Sequence, residues 1–269
     1  IWFNYEWEWR PIQIIIQIYN CDMKLSVNLN KIALLRNARG ENYPDLEYFA
    51  NMAIDLGVNG LTLHPRPDHR HATSEDVIRL AKISKEREVE FNIEGNPFSQ
   101  PNKDFLGFCE LVEKIQPDQI TLVPDTIDQI TSDHGWVPGP HDNKLKHSIE
   151  LLREKSLGSK ISLFVDDING VEYAHDMQVD LIEIHTGKFS NGIQKNDMSV
   201  IEDIQKMIDF ALTKNLLIIA GHDLNLNNLH YLVEMGNINE VSIGHAIIID
   251  SLNYGFKDTV LKYLDIIRK

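Results

Sequence analysis

From residue 23 onward, short apolar runs rich in β-branched residues alternate with stretches of helical period. The runs at 24–28, 60–64, 89–94, 119–123, 160–165, 181–185, 216–220 and 240–243 read as strands. Their starts lie roughly 20 to 40 residues apart, about one strand–helix unit each. Several are nearly uninterrupted, as in Leu216-Leu217-Ile218-Ile219-Ala220, the mark of a parallel sheet covered on both faces. Helices fill the gaps. Residues 45–56 keep helical spacing and stop at Gly57, a natural C′ residue. Thr73 or Ser74 is a candidate N-cap for the next helix. The pattern predicts further helices over 102–115, 143–155, 170–177, 199–214, 225–235 and 256–267. Eight strand–helix units predict a single-domain (β/α)₈ TIM barrel over residues 23–269, a fold that typically takes about 250 residues. A doubly wound open sheet is the alternative, but no G-x-G-x-x-G follows the first strand. No Pro/Gly/Ser-rich linker divides the chain, and the polar, glycine-containing stretch 188–197 reads as a loop, either a lid or slack surface.

Catalytic groups of a parallel barrel come from the C-terminal ends of its strands. Here polar or ionisable residues end seven of the eight. They are Asn28 with Asn30 and Lys31, His64 with Arg66, Glu94, Asp166-Asp167, Glu183 with His185, Gly221-His222-Asp223, and Gly244-His245. Each alone reads as an ordinary hydrogen-bonded group; their convergence on one rim marks a candidate site. Its centre is Leu61-Thr62-Leu63-His64-Pro65-Arg66-Pro67-Asp68-His69-Arg70-His71, where the two prolines hold His64 and Arg66 out of the helical region. Glu94 follows Phe91-Asn92-Ile93, where burial favours the proton-holding form of a carboxyl and suits it to proton abstraction. The imidazoles of His64 and His222 can take or give a proton near neutral pH. Gly221 and Gly244 lie after strands seven and eight, the usual barrel phosphate site. No lysine sits within a strand at its C-terminal end, which weakens a Schiff-base mechanism; Lys31 and Lys188 lie on loops beyond strand ends. H-E-x-x-H, paired C-x-x-C and G-x-S-x-G are absent. A metal site from His64, His69, His71, His185, Glu94 and Asp166, serving a hydrolase or isomerase, is the competing reading. A barrel that only binds phosphorylated ligands is a third.

Composition narrows the partners. The 269 residues are 43% hydrophobic and 25% charged, with a formal net charge of -14. That charge argues against nucleic acid or an anionic membrane as a partner, while a small phosphorylated substrate needs only a local cationic cluster. No run reaches the ~18 apolar residues of a membrane helix. Two cysteines, Cys21 and Cys109, make no disulfide framework, so a reduced, cytoplasmic protein is expected. Residues 1–22 hold three of the four tryptophans and a β-prone run, 12–19, with no signal-peptide pattern. They read as an N-terminal extension ahead of Met23, with an added strand or an oligomer-contact arm as the alternative.

Five ordered motifs carry a resemblance. Val27-Asn28-Leu29-Asn30-Lys31-Ile32-Ala33-Leu34-Leu35-Arg36-Asn37-Ala38-Arg39-Gly40, the pattern His64-x-Arg66-x-Asp68-x-Arg70-His71, Glu183-Ile184-His185-Thr186-Gly187, Ala220-Gly221-His222 and Ile243-Gly244-His245-Ala246-Ile247 closely resemble the pyridoxine 5′-phosphate synthase family. The likeness runs in register from about Met23 to the C-terminus. It implies a (β/α)₈ barrel that condenses 1-deoxy-D-xylulose 5-phosphate with 3-amino-2-oxopropyl phosphate, without metal or organic cofactor. It further implies His64 and Glu94 as proton acceptors, His222 as proton donor and Glu183 as transition-state stabiliser. Asn28, Arg39, Gly244 and His245 match contacts to the amino-ketone phosphate, and Arg66, His71 and Thr131 match contacts to the deoxyxylulose phosphate. Homo-octamers built from dimers are implied too, with the equivalent of Arg39 reaching into a neighbouring subunit. Three departures stand out. Asn30-Lys31 replaces an aspartate–histidine pair that contacts the deoxyxylulose phosphate, Asp223 replaces a glycine at an amino-ketone phosphate contact, and Pro65 and Pro67 stiffen the ledge.

Overall fold

The computed structural model describes residues 23–268, so the expectation for residues 1–22 lies outside the described residues. Eight parallel strands close into a barrel in sequence order: β1 (Lys24–Asn28), β2 (Gly60–Leu63), β3 (Glu90–Gly95), β4 (Gln119–Leu122), β5 (Lys160–Val165), β6 (Leu181–His185), β7 (Leu217–Gly221) and β8 (Glu240–Ile243). The seam is made by β8 against β1, in a register that runs from Lys24 opposite Glu240 to Val27 opposite Ile243. Around the barrel lie α1 (Asn30–Asn37), α2 (Leu46–Asp55), α3 (Ser74–Glu86), α4 (Phe108–Ile115), α5 (Asp142–Lys155), α6 (Ile168–Asp176), α7 (Gly187–Gln194), α8 (Ser199–Thr213), α9 (Leu229–Met235), α10 (His245–Tyr254) and α11 (Phe256–Ile267).

The predicted barrel is therefore observed, its strand boundaries shifted by a residue at most. The helices differ more. Thr73 caps α3 in a reciprocal capping box with Asp76. The helix expected over 102–115 begins only at Phe108, because Asn102 Oδ1 accepts from the amides of Asp104 and Phe105, and Gly107 is left-handed (φ +89). The helix expected over 225–235 begins at Leu229, because Asn225 and Asn228 bond each other's segment in an asparagine turn. The supposed loop at 188–197 is mostly the helix α7. Its Gly192 is a packing glycine, since a Cβ there would stand 2.3 Å from Val200 Cγ1 on α8. Lys31 and Lys188 consequently lie in the first turns of α1 and α7 rather than on loops.

Strand alternation divides the residues into two environments. Leu25, Val27, Leu61, Leu63, Phe91, Ile93, Ile120, Leu122, Ile182, Ile184, Val241 and Ile243 belong to one continuous apolar core shared with the helices. The alternate positions face the barrel axis, and most are polar: Ser26, Thr62, Asn92, Thr121, Ser162, Glu183, Glu240 and Ser242 are all buried. Ser26 and Thr62 pair their hydroxyls at 2.7 Å, and Thr121 donates to Asn92 at 3.2 Å. The apolar core thus sits between barrel and helices, whereas the barrel's inside is a polar column.

Glu240 opens β8 at the foot of that column, 3% exposed. Burial pushes its carboxyl up to about 8; Glu90 adds repulsion, while Lys24 and Lys160 oppose the shift. The fold accommodates the protonated form. That stability is complete below the ordinary value of 4.5 and is lost as pH rises towards 8. Glu240→Gln, a neutral isostere, should therefore gain thermal stability over the parent as pH increases, by at most about 1.4 kcal/mol per pH unit across that interval. Melting curves at about pH 5, 7 and 9 check this; a difference independent of pH would refute it.

Candidate active site

The C-terminal ends of the strands open onto a cavity of about 300 Å³. Asn28, Asn30, Lys31, His64, Arg66, His71, Glu94, Thr131, Glu183, His222, Asp223, Gly244 and His245 all line it. Arg39, also predicted for the site, is exposed just beyond α1 and does not line the cavity of its own chain. Asp68, His69 and Arg70 of the proline ledge also stay outside it.

A chain of acids and imidazoles crosses the cavity floor. His64 ends β2 with Nδ1 3.6 Å from Glu94 Oε2 and Nε2 3.3 Å from Asp125 Oδ2. Its backbone amide donates to Asn30 Oδ1 at 3.0 Å, which ties β2 to the start of α1. Glu94 accepts from Asn28 Nδ2 at 3.4 Å and from Ser242 Oγ at 3.5 Å, so groups from β1, β2, β3 and β8 meet at one carboxylate. Below it lies Glu183, 3% exposed. Burial raises its pKa well above the ordinary carboxyl value, reinforced by Glu94 and Glu240, while a hydrogen bond with Thr121 opposes the shift. Burial thus favours the protonated form of Glu183, as it does that of Glu240. Gly221 makes room for it: a Cβ there would stand 2.2 Å from Glu183 Oε1. Gly221, expected beside a bound anion, instead leaves its space to a carboxyl.

His222 faces the same cavity from the end of β7, with Nε2 3.4 Å from Thr131 Oγ1. Phe164 and the ring of His185 pack on it, at centroid separations of 5.8 and 4.8 Å. Burial lowers its pKa, against the attraction of Asp223, Glu94 and Asp125. His185, behind it, is driven down to about 4 by burial and then by His222, so it stays neutral.

Two corners suit anions. In one, burial and then Lys31 drive His71 down to about 3, and burial and then Arg66 lower Lys31. These groups disfavour one another's protonation, although Asp125 pairs with Arg66 beside them. In the other, Gly244 caps α10, whose first turn has no acidic residue, so its free N–H groups and dipole face the cavity. A Cβ on Gly244 would stand 2.8 Å from Asn28 O, so only glycine lets β8 turn this close to β1.

The competing set of metal ligands does not assemble: among the described residues no three His, Cys, Asp or Glu side chains are grouped to hold a metal ion. Sequence reasoning missed Asp125, Ser242 and Phe164. Asp125 is the hub, binding the buried guanidinium of Arg66 as well as His64. It follows β4, the one strand for which no rim group was expected, and its only signal was Pro124-Asp125 after an apolar run. Ser242 was readable by alternation from Gly244, and Phe164 by alternation along β5.

A family model described as pyridoxal phosphate biosynthesis protein PdxJ matches residues 25–269. The chain belongs to this family. Among its relatives, a protein named pyridoxine 5′-phosphate synthase from Xylella fastidiosa (strain M23) is 42% identical over 247 residues, covering 91% of this chain and 94% of that protein. One of the same name from Xanthomonas oryzae pv. oryzae (strain MAFF 311018) is 41% identical over 252 residues, covering 91% and 97%. In fold alone, the chain is similar to thiamine phosphate pyrophosphorylase from Pyrococcus furiosus (TM-score 0.58, 11% identity, 92% and 96% covered). It is likewise similar to the tryptophan synthase α-subunit from Pyrococcus furiosus (TM-score 0.57, 12% identity, 91% and 97% covered). No helix among the described residues is long and apolar enough to cross a membrane.

Arg66 and Asp125 are 4% and 8% exposed, so removing one partner strands a buried charge. Asp125→Ala should lower stability by about 3–5 kcal/mol in urea unfolding. A loss under about 1 kcal/mol, typical of an exposed pair, would deny Asp125 the role of hub.

Proposed function

We propose that this protein is a pyridoxine 5′-phosphate synthase of vitamin B6 biosynthesis that joins 3-amino-2-oxopropyl phosphate to 1-deoxy-D-xylulose 5-phosphate, closing the pyridine ring with loss of phosphate and water. The observation that carries this reading is that His64, Glu94, Glu183 and His222 face one cavity, with an anion-seeking corner on either side. Imine formation, elimination of phosphate and ring closure are a series of proton transfers and dehydrations. They need acids and bases rather than an electron sink, because the amino-ketone's own nitrogen forms the imine. The reaction would proceed without metal or organic cofactor, as a transferase-class, ring-closing synthase in the cytoplasm.

The surroundings support each role that the family resemblance implies. His64 and Glu94 are adjacent proton acceptors, His64 held between two carboxylates and Glu94 between an amide and a hydroxyl. Glu183, whose protonated form burial favours, donates a hydrogen bond to oxygen as it gains negative charge. His222 lines the same cavity and gives a proton to a departing group. The Gly244–His245 end of α10 and Asn28 hold the amino-ketone phosphate; Lys31, Arg66, His71 and Thr131 hold that of the sugar. Confining both partners removes much of the entropic barrier to their joining.

Assembly belongs to the same proposal. Leu34, Leu35, Tyr43, Tyr48 and Leu252 expose apolar surface on α1, α2, α10 and the turn near Arg39, and α1 packs against both other helices. Such a face suits a second copy of the chain, within an octamer of dimers, and lets Arg39 complete a neighbour's phosphate site.

Turnover of the two phosphorylated substrates in the presence of a chelator tests the reaction. Glu94→Gln should cut kcat by about 10²–10⁴-fold while phosphate binding survives. Unchanged turnover in that variant, or activity that needs added zinc or manganese, would reject this mechanism. For assembly, Leu252→Lys should yield smaller particles in light scattering; an unaltered particle mass would exclude this face.

A further inference from the structure

Strand β7 runs into two consecutive non-glycine residues in the left-handed region, His222 (φ +79) and Asp223 (φ +56). Side chains disfavour that backbone, so it persists only where its surroundings impose it. Here the surroundings are donors on the segment that follows β6 and on the asparagines downstream of the turn itself. Thr186, fully buried, donates its amide to Gly221 O at 2.9 Å. Its hydroxyl lies 2.7 Å from Gly221 O and 2.5 Å from His222 O, one proton shared between two carbonyls. The next carbonyl, of Asp223, accepts from Ser190 Oγ at 2.9 Å and from Nδ2 of Asn225 and Asn228, each at 3.2 Å. Three successive carbonyls of the turn are thus tied down from outside it.

Thr186 occupies the N-cap position of α7 yet makes no side-chain cap bond to that helix. A threonine there ordinarily satisfies its own helix's amides. This one turns its hydroxyl across to the neighbouring strand end and does not line the cavity. Capping therefore does not account for it, and substrate contact does not either.

We propose that Thr186, assisted by Ser190, is a positioning residue that holds the left-handed turn and so aims the His222 imidazole into the cavity. The ring so placed lies against Phe164 and His185 and reaches Thr131. The charged or titratable groups around it are Asp223 on its own turn, Glu94 on β3, Asp125 after β4, His64 at the end of β2 and His185 on β6. Misplacing a reacting group by about 1 Å can cost a hundred-fold in rate. On this account Ser190, within the stretch 188–197, and Thr186, just before it, brace the proton donor. The inference rests on the proposed reaction for its kinetic consequence, but its structural claim stands separately.

The test compares Thr186→Val, which keeps the shape and removes the hydroxyl, with Thr186→Ser, which restores it. Turnover is read together with the titration of His222, followed by NMR of histidine-labelled protein and assigned with His222→Gln. Thr186→Val should lower kcat by about 10- to 100-fold with little change in KM, and move the His222 titration towards the ordinary 6.5 as the ring loses its burial. Thr186→Ser should restore most of both. Ser190→Ala, at a half-exposed position, should shift both readouts the same way by a smaller amount, and it decides the matter if Thr186→Val does not fold. A folded Thr186→Val with parental kcat and parental titration would overturn the proposal, as would a Ser190→Ala that moves neither readout when it is the deciding variant. Absence of turnover in the unaltered protein would reject the reaction, and the titration alone would then judge the positioning.

Discussion

Alternation along eight parallel strands is the constraint on which the site depends. Outward residues such as Leu25, Leu61, Ile93 and Ile182 are apolar and join the helices in one core, so the strands cannot rotate or slip without exposing it. The inward positions are fixed by default. Register then places Glu94 beside Thr121, and Glu183 between Phe164 and Ile219. A slip of one residue would send these carboxyls into the helix-facing core. Packing energy on the outside of the barrel thereby holds chemistry on the inside.

The charges are sorted by depth. Glu240 lies at the foot of the polar column and Glu183 above it, and Glu94 at the rim adds repulsion to both. Burial favours the protonated forms of the deeper two, in which they donate hydrogen bonds. The rim is different: Lys31, Arg66 and His71 crowd one side of the mouth, although the chain carries a net charge of -14. Asp125 neutralises part of that cluster and, by also holding His64, links the cationic side to the proton-transfer side. One carboxylate therefore joins the cationic cluster to His64.

The strands were legible because each is a short apolar run bounded by polar residues, and the site was legible because those bounding residues fall on one rim. The alternation of Leu25-Ser26-Val27-Asn28, Leu61-Thr62-Leu63-His64 and Phe91-Asn92-Ile93-Glu94 was equally plain, but a parallel barrel is ordinarily apolar on both faces and the polar interior went unread. Helices α1 and α7 were hidden because they begin with Asn30 and Gly187, residues that read as loop. Asparagine turns at 102 and 225 delayed two other helices, since a side chain's bond to a nearby amide is not visible in periodicity. Roles for individual residues came from the family motifs; periodicity located the groups but could not say which gives a proton.

Asp223 shows how a departure from the commonest family pattern can be absorbed. Glycine suits a left-handed residue, and aspartate is among the few others that tolerate it, so the turn survives the replacement. A carboxylate aimed at a bound phosphate would repel it. Instead Oδ2 lies 3.5 Å from where a Cβ on Gly187 would stand, at the amide-rich start of α7. There the negative charge meets the positive end of a helix dipole, and it favours the protonated form of both His222 and His185. Burial alone favours the neutral form of His222. The aspartate opposes that shift, so the residue that looked least compatible with anion binding favours the protonated form of the imidazole it adjoins.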